Sequence, residues 1–248
     1  MANFFRTSNP ALNQKAFQGA VAAGEAMTLQ GTVNKTGILL ILTAASAAWT
    51  WERFVVSGPQ AVMPLLIGGA IGGFIVALVT IFKKEWSVVT APVYALLEGL
   101  VLGGISASVN AAAPGIAIEA VSLTFGTLVV LLLAYTSRII SVTQKFRLGV
   151  IAATGAIALV YLGTIILGFF GVHTFSIYGS GAIGIAFSAF VVIIASLNLV
   201  LDFDFIENAA RMGVPKYMEW YGAFGLMVAL IWLYLEILRL LVKLRGRR

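Results

Sequence analysis

Seven long stretches of apolar residues, separated by short polar segments, dominate the hydropathy pattern of the chain. Each is about 20 residues long, the length that a helix needs to cross about 30 Å of hydrocarbon. The pattern therefore predicts an all-α integral membrane protein, a bundle of seven transmembrane helices. The predicted spans are 36–54, 61–82, 87–109, 116–140, 149–172, 178–206 and 220–244.

The segments on either side of these spans differ from them in composition. The first 35 residues begin with a polar stretch and lack a continuous apolar core, so they are predicted to be a cytoplasmic or interfacial segment and not a signal peptide. The chain ends in a short basic tail, residues 245–248. Residues 36–244 form the predicted transmembrane domain.

The overall composition agrees with a bilayer as the solvent and excludes several classes of function. Only 10% of the residues are charged and the mean hydropathy is +1.00, whereas a soluble domain carries roughly 25% charged residues. There is no cysteine and one histidine, His173, so thiol chemistry and His-cluster metal sites are excluded. No nucleotide-binding or hydrolase motif is present. We expect neither an enzyme nor a cofactor, and we attribute the net charge of +6 to loops and lipid headgroups, not to nucleic-acid binding.

The distribution of lysine and arginine predicts the orientation of the chain. Seven crossings place ten of the 16 basic residues on the side of the N-terminus and six on the other side. Because cytoplasmic loops are enriched in lysine and arginine, the N-terminus is predicted to be cytoplasmic. The basic tail conflicts with this rule. Either the rule fails at the last helix, or the final segment is re-entrant and returns the tail to the cytoplasm.

Ionisable residues inside the apolar spans are the candidates for function, because each costs roughly 2.5–3.5 kcal/mol to insert at the bilayer centre. Asp202 and Glu236 are the strongest candidates, since both lie within apolar helix and neither is explained by helix capping. Glu98 lies in the middle of the third span, Asp204 near the cytoplasmic end of the sixth, and Arg239 one turn after Glu236. Buried carboxylates handle protons or hard cations, and two that share a site titrate as a coupled pair. The alternative is that each acid is protonated and hydrogen-bonded within the bundle.

Small residues in several spans predict close packing between helices. Gly99 and Gly103 are four residues apart on the third span, and the second span contains the stretch Gly-Gly-Ala-Ile-Gly-Gly at 68–73. Close packing within one molecule is the expected role of these residues.

Motifs near the ends of the last two spans resemble a known family. The sixth span contains Val-Leu-Asp-Phe-Asp-Phe-Ile at 200–206, and the seventh contains Trp-Leu-Tyr-Leu-Glu-Ile-Leu-Arg-Leu-Leu at 232–241. These motifs resemble the Bax-inhibitor-like membrane proteins (the TMBIM or YccA-type family), with Asp202 and Glu236 at the two acidic positions. The segments 6–10, 34–37 and 215–221 are similar to a bacterial branch, and the resemblance covers nearly the whole chain.

The resemblance implies a fold and a function. The last helix would lie at the centre of the bundle, enclosed by the other six. The protein would be a pH-sensitive cation (Ca²⁺) leak in a bacterial inner membrane, with Asp202 and Glu236 as ion-facing acids that sense pH and bind Ca²⁺ transiently. Glu98, Asp204 and Arg239 would be auxiliary residues. The expected partners are the lipid bilayer and Ca²⁺ or H⁺.

Three features depart from the family pattern. The second acid, Glu236, is a glutamate where an aspartate is usual. It lies 34 residues after Asp202, roughly a dozen more than usual, and we expect the extra length in 208–221. This separation argues against direct contact between the two carboxyl groups. The gating arginine of the family's second helix has no counterpart in 61–82, which leaves Arg239 as a substitute partner for Glu236.

Two other functions remain open from the sequence. The first is a non-conducting regulatory protein that modulates a membrane protease or a stress or cell-death response, using the N-terminal segment and the cytoplasmic loop 208–219. The second is a proton-coupled transporter, although the chain lacks the pair of Gly/Pro-broken helices that is typical of such sites.

Overall fold

The structure is a computed structural model that describes residues 26–170 and 179–246, and seven long α-helices make up most of these residues. All seven are long and apolar enough to cross a membrane, which confirms the predicted fold class. His173, residues 1–25 and residues 247–248 lie outside the described residues. The helices are α1 (Leu29–Ser57), α2 (Pro59–Phe82), α3 (Ser87–Ala112), α4 (Ile116–Thr136), α5 (Gln144–Phe169), α6 (Ala182–Arg211) and α7 (Met218–Arg245).

Several helix ends differ from the predicted boundaries; α5, for example, begins five residues early, at Gln144, and the ends of α1, α4 and α6 change the interpretation. Helix α1 begins seven residues early, because the Thr28 side chain caps it by accepting a hydrogen bond from the Gly31 N–H. Residues 29–35 thus belong to the first helix and not to a separate N-terminal segment. Helix α4 ends at Thr136 because Arg138 adopts a left-handed backbone conformation (φ 59°). Helix α6 continues to Arg211, so the predicted loop at 208–219 shrinks to residues 212–217.

The connections between α1 and α2 and between α3 and α4 are short, and glycine permits both of them. A single residue, Gly58 at φ 80°, separates α1 from α2, and Pro59 then begins α2 at a position where no backbone N–H is needed. Gly115 at φ 87° precedes α4 in the same way. These sharp reversals make neighbouring helices antiparallel.

The two ends of the bundle are distinguished by contacts between helix termini. At the end where α1 begins, called end A, Lys35 of α1 pairs with Glu219 of α7, and Ser87 of α3 donates to the Tyr217 carbonyl at 3.2 Å. At the opposite end, called end B, Arg245 of α7 reaches the Pro114 carbonyl at 2.6 Å. Helix α7 therefore runs unbroken from end A to end B, which excludes the re-entrant alternative for the final segment.

Helix α7 is the most buried helix and occupies the centre of the bundle, as expected. Helices α1, α3, α4 and α6 pack along it, while α2 packs mainly on α3 and α5 mainly on α6. The expectation that all six helices enclose α7 is thus too simple. Four helices pack along it, α5 reaches it through the Tyr161 side chain, and α2 forms an outer layer on α3.

Candidate functional site

A line of polar side chains runs between α5, α6 and α7 through the otherwise apolar bundle. On α5, Arg147, Thr154 and Tyr161 follow one another at intervals of seven residues, so they share one face of the helix. That face is turned towards α6 and α7, where the partners of these three side chains lie. We call the whole set the polar seam; it consists of Arg147, Thr154 and Tyr161 on α5, Ser188, Asn198, Asp202 and Asp204 on α6, and Glu236, Arg239 and Lys243 on α7.

Glu236 lies in the part of the seam nearer end B and has two partners. Its side chain is 2% exposed, and the Arg239 Nη1 donates to its two carboxylate oxygens at 2.7 and 2.9 Å. The Tyr161 hydroxyl of α5 donates to the same oxygens at 3.0 and 3.1 Å and accepts from Arg239 at 2.7 Å. Arg239 is therefore the ion-pair partner of Glu236 in this structure.

Lys243 continues the seam one turn further towards end B. It is buried, and its ammonium group donates to the Ser188 hydroxyl at 2.8 Å and to the Gly184 carbonyl at 3.1 Å, both on α6. A cation at this depth needs such oxygen partners, because an unsatisfied buried charge is strongly unfavourable.

Asp202 and Asn198 occupy the middle of the seam on α6, one turn apart. Asp202 is fully buried, and Asn198 is 3% exposed. The Asn198 amide nitrogen donates to Thr154 Oγ1 and to the Ile194 carbonyl, each at 2.8 Å. Its Oδ1 has no hydrogen-bond partner among the described residues. A buried acceptor of this kind, four residues from a buried carboxylate, is the arrangement that an ion or a water molecule would satisfy.

Asp204 lies at the end of the seam nearest end A, within a network of charges. Arg147 donates to Asp204 at 2.6 Å. Glu207, one turn further, accepts from Arg138 at 3.1 Å, from Arg211 at 2.5 Å and from the Tyr135 hydroxyl. This network holds α4, α5 and α6 together at end A.

The packing register of α6 and α7 sets the distance between the two principal acids. Lys243 lies opposite positions 184 and 188, so Glu236 lies opposite about position 193 of α6. Asp202 is about nine residues, or about 13 Å, closer to end A. The carboxyl groups of Asp202 and Glu236 thus belong to one seam but lie at two different depths, as the 34-residue separation suggested.

Glu98 lies outside the seam. Its carboxylate is hydrogen-bonded to Tyr94 and packs against α2, where a Cβ added at Gly73 would be 3.0 Å from Glu98 Oε1. The structure therefore pairs Glu236 with Arg239 and Asp204 with Arg147, places Asp202 one turn from Asn198 on α6, and separates Glu98 from all of them.

Sequence analysis missed the uncharged members of the seam. Thr154, Tyr161 and Asn198 carry no charge, and such residues are common in transmembrane helices, so none was a candidate alone. The signal that could have found two of them is the seven-residue spacing from Arg147 through Thr154 to Tyr161 in an otherwise apolar span.

The seam offers oxygen atoms spread along its length and not a compact metal site. Among the described residues, no group of three or more Asp, Glu, His or Cys side chains could hold a metal ion. Stable calcium sites use six to eight oxygen ligands. A site with fewer oxygen ligands would hold Ca²⁺ weakly, which suits a cation that binds and then leaves.

Comparison with known protein families gives one extensive match. The family model described as Bax inhibitor 1 like matches residues 9–246, which is nearly the whole chain. A comparison with curated proteins gives no match.

Proposed function

The chain belongs to the Bax inhibitor 1 like family, and from that premise we propose that it is a pH-sensitive cation leak, with Ca²⁺ as the cation and the polar seam as its route. Asp202 and Glu236 are the ion-facing acids in this proposal. Asp204 and Arg147 form the entrance near end A, and Arg239 holds Glu236 in the resting state.

The observation that carries the proposal is the pair formed by Asp202 and Asn198. A fully buried carboxylate lies one helical turn from a buried amide oxygen that accepts no hydrogen bond from the described residues, and both lie within a membrane-spanning helix. Both groups offer oxygen, the ligand that Ca²⁺ prefers. Retaining such groups at this depth is costly, which favours a function over simple packing.

Glu236 supports the pH dependence. While it is ionised it holds Arg239 across the seam, and Tyr161 joins the same cluster. Protonation would remove the charge that binds Arg239 and would change the position of the guanidinium group. It would also remove the charge that attracts a cation, and the same holds at Asp202. We therefore expect cation flux to fall as the pH falls.

The test is Ca²⁺ entry into proteoliposomes between pH 5 and pH 8. Wild-type protein should show a flux that decreases towards pH 5. Asp202→Asn should reduce the flux at pH 8 at least tenfold, and Glu236→Gln should leave a flux that varies less with pH than that of the wild type, because only Asp202 then changes its charge. Asn198→Leu removes the amide oxygen without changing charge, and we expect it to reduce flux severalfold.

A matched control is Glu52→Gln, which neutralises an exposed carboxylate at the end of α1 near end B, away from the seam. Its flux and pH profile should equal those of the wild type. If the Asp202→Asn, Glu236→Gln double variant conducts Ca²⁺ with the wild-type pH profile, the two acids are not the site. The absence of any flux from folded wild-type protein would reject the leak itself.

A specific contact favours a second candidate, a non-conducting regulatory protein that docks on a membrane protease. The described part of the N-terminal segment before α1, residues 26–28, lies beside the α6–α7 loop at end A. Ala26 forms a β-bridge with Pro215, and the Met27 N–H donates to the Val214 carbonyl at 2.7 Å. Glu219, which is buried, accepts from the Thr28 N–H and hydroxyl, each at 2.9 Å. The start of the described chain and the α6–α7 loop thus form one surface.

Deleting residues 1–24 distinguishes this candidate from the leak. The deletion retains residues 26–28, so it spares the contacts with the α6–α7 loop. If the protein is a docking module, the deletion abolishes co-purification with the protease, and the purified protein shows no flux before or after it. If the protein is a leak, the flux in proteoliposomes survives the deletion.

A further inference from the structure

A deep groove opens on the side of the bundle between α1 and α4. Its floor is formed by α3 and by the central helix α7, and its volume is about 640 Å³. It lies on the far side of α7 from α5, whose polar side chains form part of the seam. No part of the groove contributes to the proposed route for ions.

The length and position of the groove match one leaflet of a membrane. On α1 the lining runs from Leu40 to Trp51, which is about 16 Å along the helix axis. Half of a 30 Å hydrocarbon core is about 15 Å. On α4 the lining runs from Ala117 at end B to Phe125. The groove therefore extends from end B to about the middle of the bilayer, where an acyl chain of that leaflet ends.

The hydroxyl groups in the lining are already used within the protein. Thr43 donates to the Ala95 carbonyl at 3.1 Å, and Thr124 donates to the Ala120 carbonyl at 2.8 Å. Ser106 donates to the Leu102 carbonyl at 2.5 Å, so in the 2.6 Å contact between Ser106 and Tyr234 the tyrosine is the donor. All four hydroxyl protons in the lining are thus committed, and the groove presents no free hydroxyl donor to a polar ligand.

The rim of the groove is apolar and faces the surrounding lipid. Ile118, Val121 and Phe125 of α4 are exposed, and Ala44 and Ala48 are the small residues that leave the α1 side open. Trp51 lies at the end B limit of the groove, at the depth where tryptophan is typical of the membrane interface.

We propose that this groove binds one acyl chain of a phospholipid from the end B leaflet and retains it against the central helix. A hydrocarbon chain fits the length, the apolar lining and the committed hydroxyl groups together. It would contact Met227, Leu230 and Tyr234 of α7, so it completes the packing of the central helix where α1 and α4 leave it uncovered. This proposal does not depend on whether the protein conducts ions.

The test uses the full chain in vesicles that contain a phosphatidylcholine with a photoreactive diazirine at the middle of one acyl chain. After illumination, the modified residues are mapped by mass spectrometry. We expect adducts to concentrate on residues 40–51 and 117–125, at least fivefold above the lipid-facing surface of α5.

Ala44→Phe fills the groove, and Ala45→Phe is its matched control. Both alanines are exposed on α1, but only Ala44 lines the groove. Ala44→Phe should reduce the groove adducts at least fivefold, and Ala45→Phe should leave them unchanged. Ala48→Phe provides a second filling variant if Ala44→Phe fails to fold.

Uniform labelling around the bundle, or groove adducts that both filling variants leave intact, would overturn the proposal. Cross-linking of two protein chains through a single cysteine introduced at Ala48, in a separate measurement, would also overturn it, because a second copy would then be the occupant.

Discussion

At the scale of single residues, Glu236 shows how a carboxylate is accommodated at depth in this bundle. Its charge is balanced by Arg239, three residues further on the same helix, and its oxygens also accept a hydrogen bond from Tyr161 of α5. Burying a charge is tolerated when it is both paired and hydrogen-bonded, and removing one partner is expensive. The tyrosine is thus a structural support of the proposed site as well as a part of its lining.

Tyr161→Phe tests this role. It retains the ring but removes the hydroxyl that donates to Glu236 and accepts from Arg239, and hydrogen bonds to charged groups contribute about 2 kcal/mol each. The two hydrogen bonds share one hydroxyl and one ion pair, so their contributions do not add in full, and we expect the free energy of unfolding in detergent to fall by about 2 kcal/mol. Tyr234→Phe is the comparison, because Tyr234 bonds only the neutral Ser106 hydroxyl in the contacts described, and its loss should cost about 1 kcal/mol. Equal losses for the two variants would show that the charged cluster adds no stability.

At the scale of helices, glycine determines how closely α1 and α3 pack. A Cβ added at Gly99 would lie 2.5 Å from the Thr43 carbonyl oxygen, and one added at Gly103 would lie 2.3 Å from the Ala47 carbonyl oxygen. Both distances are too short for any side chain, so the two backbones are in direct contact. In a bilayer such van der Waals contact, and not the hydrophobic effect, drives helix association. The same approach brings α1 close enough for Thr43 to bond α3.

Gly103→Ala tests the packing of these two helices. The added methyl group would push α1 away from α3, and we expect a loss of about 2 kcal/mol in the free energy of unfolding, because overpacking typically costs 1–3 kcal/mol. The control is Gly126→Ala on α4, where an added Cβ meets nothing within 4 Å. This variant should be neutral or more stable, since alanine is favoured over glycine within a helix. A stable Gly103→Ala variant would mean that α1 and α3 can separate without cost.

At the scale of the whole molecule, the structure explains why the C-terminal end of α7 is basic. Arg239 pairs with Glu236, Lys243 is buried against α6, and Arg245 pairs with Glu119 at 2.6 Å. These three cations are used for contacts within the bundle, so they give little information about which side is cytoplasmic. The positive-inside rule counts charges in loops, and the remaining loop charges favour end A as the cytoplasmic end.

Thiol labelling in intact cells tests this orientation, and the absence of cysteine from the chain makes single-cysteine variants clean reporters. Gln60→Cys near end B should react with a membrane-impermeant maleimide added outside. Lys84→Cys and Lys145→Cys near end A should react only after the membrane is permeabilised. The reverse pattern would place the N-terminus outside the cell. Labelling of all three variants in intact cells would mean that the reagent had entered and would require a repeat with sealed vesicles.

The sequence by itself determined the class of fold, the number of spans and the strongest acidic candidates. This was possible because a bilayer requires about 20 apolar residues for each crossing and makes every buried charge conspicuous. It also predicted that Gly99 and Gly103 mark close helix packing, since only small residues allow that approach. The start of α1 after Thr28 and the end of α4 before Arg138 were harder to predict. Thr28 caps α1 and also bonds Glu219 of α7, and Arg138 leaves the helical conformation and pairs with Glu207 of α6.

Only the tertiary structure decided which polar residues belong together. Uncharged residues such as Asn198 and Tyr161 give a weak signal in a transmembrane sequence, and their importance depends on neighbours from other helices. The depth of Asp202 relative to Glu236, the separation of Glu98 from both, and the groove between α1 and α4 all depend on how the helices are aligned and spaced. Hydropathy determines that a helix crosses the membrane, whereas contacts between residues distant in sequence determine which of its faces meets which neighbour, and at what depth.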